Sequence, residues 1–309
     1  MPLDPTTPEL SALDLFVSVV NLGSLSKGAA AHHISQPSAS SRILGLEQRL
    51  GLTLLDRSPT GSTPTAAGSL VAGWAESVLR SANELQAGVA ALKASRSGRL
   101  RVAASYTIAE YLLPPWLEQF LRNRPDDSVE LVVANSTAVL DLLAEGRAEL
   151  GFIESPLPTP TMTEQVVAHD RLIAVVGRHH PWAGFGSIPL EALLTTSLVV
   201  RERGSGTRET LESALSELGH PPPPAALELG STSAIRAAVM AGGPPTVLSH
   251  RAVAFDLDAG SLVEVPIDGL RIERRLRAVW PRTASLPPLA EALLKQLPRP
   301  AGDATVDRP

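Results

Sequence analysis

SLSKGAAAHHISQPSASSRILGLEQRL, residues Ser24–Leu50, decides the fold. Its first part, Ser26 to His33, is rich in small residues (Gly28, Ala29, Ala30, Ala31), so a second helix can cross it at short range, as a helix-turn-helix requires. The second part opens with Ser35 and Gln36 in capping range and Pro37 at the first helical position, where a missing N–H costs nothing. From there Ala39, Ile43, Leu46 and Leu50 fall on one side, and Ser38, Ser41, Arg42, Gly45, Gln48 and Arg49 on the other. One face packs, and the other carries hydroxyls, amides and arginines that suit a DNA major groove. Taken alone, a solvated face of an ordinary helical hairpin explains the pattern equally well.

Working outward, Leu10, Leu13, Phe16, Val17 and Val20 repeat at helical spacing and stop at Asn21-Leu22-Gly23, which adds a third, supporting helix. On the other side, LTLLDRSPTGSTPTAAG reads as a short strand, a turn at Pro59-Thr60-Gly61 and a second strand from Ser62 to Pro64: a wing. Arg57 at its base is a candidate phosphate or minor-groove contact, or else the partner of Asp56 or Glu47. Thr65 can cap a helix running to about Ala94, with Leu70, Trp74, Val78, Leu85, Val89 and Leu92 in an uneven stripe. Such a length, with one apolar stripe, predicts a linker and dimerisation helix.

From Arg99 the period changes. RLRVAAS, VELVVAN and ELGFIE read as strands alternating with helical runs at Ala109–Leu121 and Ala138–Glu145, the pattern of a parallel sheet with right-handed crossovers. A loop with Pro156, Pro158 and Pro160 leads to two further strands, QVVAH and RLIAVVG. A second alternation runs through SLVVRE, the helix after Gly206, AALELG, the helix from Ser233 to Ala241, and PTVLS. RIERRLRAVW, charged on alternate positions, then precedes a helix from Leu286 to Leu297, and the tail after Pro298 has a disordered composition.

The expected architecture is therefore α/β: a winged helix-turn-helix over 1–65, a linker helix over 66–97, and a two-lobed domain over 98–300, followed by a disordered tail, 301–309. Lobe I would take about 98–164 and 269–297, and lobe II about 165–268.

Composition limits what this arrangement can do. The chain has no cysteine, which excludes disulfides, thiolate metal sites and a catalytic thiol. The start lacks a basic region followed by an apolar run, and no apolar segment approaches a membrane span, so the expectation is a cytoplasmic protein without membrane contact. Net charge is −5, and the first 66 residues set Lys27, Arg42, Arg49 and Arg57 against Asp4, Glu9, Asp14, Glu47 and Asp56. DNA affinity must then come from placement and from two copies acting together rather than from bulk charge.

Together these residues resemble the LysR-type transcriptional regulators. The resemblance covers nearly the whole chain and is most specific in Ser35-Gln36-Pro37, Ser40, Ile43, Leu46-Glu47, Leu50-Gly51, Leu54, Asp56-Arg57, Thr65 and Ala67-Gly68. It implies a winged helix-turn-helix, a linker helix and a domain like periplasmic binding proteins. It also implies double-stranded DNA and a small-molecule effector as partners, assembly as a homodimer or homotetramer, and RNA polymerase as a partner of an activator. Carried over, the DNA-contacting set is Ser35, Gln36, Pro37, Ser38, Ser40, Ser41, Arg42 and Arg57. Ser41 stands where the family usually has Arg, and Thr60 and Thr63 stand where wing basics are common. The departures predict weaker, more salt-sensitive binding per half-site, or a changed register in which Arg42 compensates.

In a two-lobed α/β domain, ligands lie beyond the carboxyl ends of the strands, where helix N-termini offer free N–H groups. Small polar residues follow several strands here: Ser105 and Thr107; Asn135, Ser136 and Thr137; Gly204, Ser205, Gly206, Thr207 and Arg208; and Gly230, Ser231 and Thr232. Each turn alone is an ordinary helix cap; their conjunction makes a candidate effector site. RERGSGTRE, with Arg201, Arg203 and Arg208 around two glycines, makes a small anion a candidate effector. No catalytic, metal or cofactor site is expected: His32, His33, His169, His179, His180, His220 and His250 lack metal spacing, and Ser205 lacks the G-x-S-x-G frame. The rival reading is a solute-binding or catalytic α/β domain whose N-terminal helices serve only assembly.

Overall fold

The computed structural model describes residues 4, 6–58, 61–283 and 285–298; the side chains of 57, 58, 61, 84, 87 and 90–97 are outside that description. The chain divides into two compact units, residues 1–86 and 87–309. The break falls inside the long helix rather than at either of its ends.

In the first unit, α1 (Leu10–Leu22), α2 (Leu25–Ala31) and α3 (Gln36–Leu50) are followed by β1 (Leu55–Ser58), β2 (Gly61–Pro64) and the start of α4 (Ala66–Ser97). Sequence dictates the close fit. A Cβ on Gly28 would lie 2.5 Å from Val19 Cγ2, so α1 and α2 cross where only glycine allows it. Ser35 Oγ accepts from the Ser38 N–H at 3.3 Å, and Pro37 sits in the first turn. Leu15, Phe16, Val19, Ala39, Ile43 and Leu54 fill the centre.

The hairpin β1–β2 is antiparallel, with Leu55 opposite Pro64 and Arg57 opposite Ser62. Its base is fastened by Glu47, whose Oε1 accepts from the Leu54 and Leu55 N–H groups at 2.7 and 3.2 Å. Thr65 Oγ1 accepts from the Gly68 N–H at 2.9 Å and so caps α4. Along α4, Leu70, Trp74, Val78, Leu85 and Val89 are exposed; the side chain of Leu92 lies outside the described residues.

The second unit is built on one nine-stranded sheet. Its elements follow as β3 (Arg99–Ser105), α5 (Tyr106–Tyr111), α6 (Leu113–Leu121), β4 (Ser128–Ala134), α7 (Ser136–Ala144), β5 (Leu150–Ile153) and β6 (Met162–Gly177). A 3-10 turn at Pro181–Gly184 leads to α8 (Leu190–Thr195), β7 (Leu198–Arg201), α9 (Gly206–Glu217), β8 (Ala225–Leu229), α10 (Thr232–Met240) and β9 (Thr246–Ser249). The chain closes with α11 (His250–Asp258), β10 (Leu262–Val265), β11 (Ile272–Pro281) and α12 (Pro288–Gln296).

The strand order is β4-β3-β5-β11-β6-β9-β7-β8, with β10 also pairing β6. Parallel pairs stand on both flanks, β3 with β4 and β5 on one, β7 with β8 and β9 on the other. Between them β6 and β11 run antiparallel from Met162/Pro281 to Leu172/Ile272.

QVVAH and RLIAVVG, expected as two strands, thus form one 16-residue strand. The polar Asp170 in its middle does not break it, because its carboxylate is paired across to Arg274 on β11. The run Ala109–Leu121 is two helices, α5 and α6, parted at Leu112, with Pro114 in the first turn of α6.

Candidate effector and DNA-facing sites

On α3, Gln36, Pro37, Ser38, Ser41 and Arg42 are exposed with Ser35, while Ala39, Ile43 and Leu46 on the other side are buried. Ser40 is half-buried. Gln36, Pro37, Ser38, Ser41 and Arg42 of the expected DNA-contacting set thus share the exposed side of α3. Arg49 donates to the Thr7 carbonyl at 3.3 Å and the Ser38 and Ser35 hydroxyls bond each other at 2.9 Å, so Arg42 is the cation of that face that no described group engages. The backbone of Arg57 lies on β1, and its side chain lies outside the described residues, as does Thr60. His32 packs inward, its Nε2 2.9 Å from Ser18 Oγ.

In the second unit, the turns after β3, β5 and β7 meet around one guanidinium that the sequence reading did not select. Arg274 on β11 is buried, and its Nε and Nη2 donate to Asp170 Oδ2 at 2.9 and 2.7 Å. Its Nη1 donates to Thr207 Oγ1 at 3.0 Å, and its Nη2 to Thr107 Oγ1 at 3.3 Å. Thr207 Oγ1 in turn donates to Glu154 Oε1 at 3.2 Å, and Glu154 Oε2 stands 3.6 Å from Arg274 Nη2. Ser249 Oγ completes the ring of contacts by donating to Asp170 Oδ1 at 3.0 Å.

Backbone shape allows this meeting. A Cβ on Gly206 would lie 2.6 Å from Ser155 N and 2.7 Å from Glu154 Cγ, so α9 can begin against the end of β5 only with glycine there. Gly204 has φ +82°, and its carbonyl accepts from the Thr137 N–H at 3.2 Å. Beside it, Asn135 Nδ2 donates to Glu202 Oε1 and to the Arg203 carbonyl at 3.4 and 3.3 Å. The loop after β7 therefore rests on the start of α7.

Of the expected effector set, Ser105, Thr107, Ser136, Ser205, Gly206, Thr207 and Thr232 are buried. Ser136 Oγ accepts from the Glu154 N–H at 3.4 Å. Thr232 Oγ1 accepts from Arg201 Nη1 at 3.5 Å, and that arginine lies 4.7 Å over the Tyr106 ring, a cation–π distance. Two residues are engaged otherwise. Ser231 accepts from the Ala234 N–H as the cap of α10. Arg208 turns to Glu212 and Glu228 at 2.7 Å each and to the Arg201 carbonyl, and the two glutamates, Glu212 foremost, hold its pKa above the usual arginine value. Arg201 is likewise paired with Glu202 at 2.8 Å.

Among the described residues four buried side-chain polar atoms find no hydrogen-bond partner, Ser105 Oγ, Ser205 Oγ, Glu154 Oε2 and Glu209 Oε2, and of these Glu154 Oε2 keeps its ion pair with Arg274. Such groups are rare in folded proteins and mark places where a ligand or water completes the bonding. Arg274 and Asp170 were missed because each sits inside a strand, and Glu154 because it directly follows one. The available signal was Arg274 itself, an arginine at the inward position of a strand whose outward residues, Glu273 and Arg275, are also charged.

A helix-turn-helix with an exposed polar face, together with a sheet domain holding a converged polar site, defines a DNA-binding protein with a ligand-receiving domain. The comparisons make this specific. Residues 10–69 match the model of the bacterial regulatory helix-turn-helix proteins of the lysR family, and residues 93–299 match the LysR substrate binding domain. This chain belongs to the LysR family of transcriptional regulators, and it is a ligand-responsive member.

An HTH-type transcriptional regulator of Mycobacterium tuberculosis is 38% identical over 289 residues, which is 91% of this chain and 93% of the relative. The regulatory domain of Synechocystis CcmR, solved in complex with 2-PG, is 27% identical at TM-score 0.60, covering 66% of this chain and 99% of that one. CbnR in complex with its target DNA shares the fold at TM-score 0.53 and 23% identity, covering 94% of this chain and 98% of that one. Among the described residues, no helix is long and apolar enough to cross a membrane.

Proposed function

We propose that the chain binds inverted-repeat promoter DNA as a homodimer or homotetramer, with α3 reading the major groove, and that a small molecule bound around Arg274 switches it. Gln36, Ser38, Ser41 and Arg42 reach base edges or phosphates, Ser35, Pro37 and Ser40 set the helix entry, and Arg57 serves the wing. The exposed apolar stripe on α4 pairs with its copy. An RNA polymerase contact follows if the protein activates. The chain acts by binding and not by turnover.

The observation carrying the effector reading is the convergence of Thr107, Thr207 and Glu154 on the buried Arg274. The parallel flanks of the sheet then act as lobes, residues 98–164 with 269–297 against 165–268, and a ligand that favours one lobe arrangement shifts the population toward it. Titrating a fluorescent promoter fragment with and without cell metabolite fractions tests this. A change in DNA affinity that Thr107→Val and Thr207→Val abolish supports the site; a response unchanged in both variants contradicts it.

A further inference from the structure

One groove of the first unit sets an acid against the arginines of α3. It holds about 280 Å³ and is lined by Glu9 and Ser11 at the start of α1 and by Arg42, Gly45 and Arg49 on α3, all of them exposed. Glycine inside a helix weakens it, so it is expected where packing demands it. Packing demands nothing at Gly45, where an added Cβ would meet no atom within 4 Å beyond its own stretch of helix. The side of α3 between Arg42 and Arg49 is thus left bare. The other acids of α1 and α3 serve the protein itself: Asp14 stands 3.9 Å from His32 Nδ1, and Glu47 accepts from the Leu54 and Leu55 N–H groups. Glu9 occupies the N-cap position of α1 without bonding the helix through its side chain.

A phosphate drawn to Arg42 comes within range of Glu9, because the two side chains line one groove. Attraction and repulsion then oppose each other, both in contact with solvent and both screened by salt. Resting on the reading of α3 as the DNA-facing helix, we propose that a phosphate of the DNA backbone is met over this groove and that Glu9 restrains its binding. Affinity per half-site is thereby set below what Arg42 and Arg49 alone would give, and firm binding requires two linked copies to engage together. A purely structural Glu9 has the opposite signature: an acid at a helix N-terminus steadies the helix, so removing it would leave DNA affinity unchanged or lower.

Anisotropy titrations of the full chain on a promoter duplex, at low and at raised salt, test this. Glu9→Gln should bind about two- to fivefold more tightly at low salt, with the gain shrinking as salt rises. In the Arg42→Ala background the gain should largely disappear. Gly45→Leu, which favours the helix but fills the groove, should weaken binding without lowering the melting temperature. Unchanged or weaker binding by Glu9→Gln, a gain indifferent to salt or to the loss of Arg42, or native affinity in Gly45→Leu would overturn the inference. Arg42→Ala separates the two claims. If it weakens binding while Glu9→Gln does not strengthen it, this inference alone falls; if it leaves binding unchanged, the reading of α3 falls as well.

Discussion

Thr107 and Thr207, one hundred residues apart, accept hydrogen bonds from the same guanidinium, that of Arg274, at 3.3 and 3.0 Å. One hydroxyl comes from the turn after β3 and the other from the first turn of α9, so the two flanks of the sheet are joined through a residue of the strand between them. Any molecule that changes this arrangement changes how the flanks meet.

Replacing Arg274 with Met should destabilise the second unit by about 3–5 kcal/mol, because it leaves Asp170 buried without its charge partner. The double variant Asp170→Asn/Arg274→Met should recover part of that loss, since Asp170 no longer carries a charge while Glu154 still lacks its partner. Thermal unfolding of the four proteins gives the coupling directly.

Gly206→Ala should cost about 1–3 kcal/mol, because the new methyl meets Ser155 N and Glu154 Cγ inside van der Waals distance. Denaturant titration reports the cost. The same variant should weaken the effector response, as α9 must retreat from the end of β5.

Glu47→Ala should destabilise the first unit by about 1–3 kcal/mol, leaving the Leu54 and Leu55 N–H groups without their acceptor. Glu47 lies in α3 but bonds the base of the β1–β2 hairpin, so on the proposed DNA-binding mode affinity should fall through displacement of that hairpin. Urea unfolding together with fluorescence anisotropy on promoter DNA checks both effects.

Burial holds the His180 imidazole below its ordinary value of 6.5, and its Nδ1 accepts from the Trp182 N–H at 3.1 Å. The unfolded chain therefore takes up this proton first as pH falls. The contribution of His180 to stability is complete above the ordinary value and declines below it. Melting temperature measured against pH should lose part of its acid-side slope in His180→Asn.

The helix-turn-helix was legible because its determinants are local. A cap at Ser35, a proline in the first turn, glycine at position 28 and an apolar side at Ala39, Ile43 and Leu46 all act within a few turns. The effector site was legible only at its hydroxyl-bearing turns. Arg274 contacts Asp170 across 104 positions and Thr107 across 167, and no local pattern encodes such a pairing. The same long-range pair made Asp170 read as an interruption when it stands inside a continuous strand. Arg208 misled for the complementary reason: its glutamate partners, one turn along α9 and on β8, hold it away from the cluster.

DNA recognition by α3 is the central claim, and Arg42 offers the most direct measurement of it. Anisotropy titrations of a promoter fragment at several salt concentrations should show affinity falling as salt rises. Arg42→Ala should weaken binding and reduce the salt slope by about one unit, with the melting temperature unchanged. A native affinity insensitive to salt, or an Arg42→Ala protein that binds the fragment as tightly and with the same slope, would contradict the account.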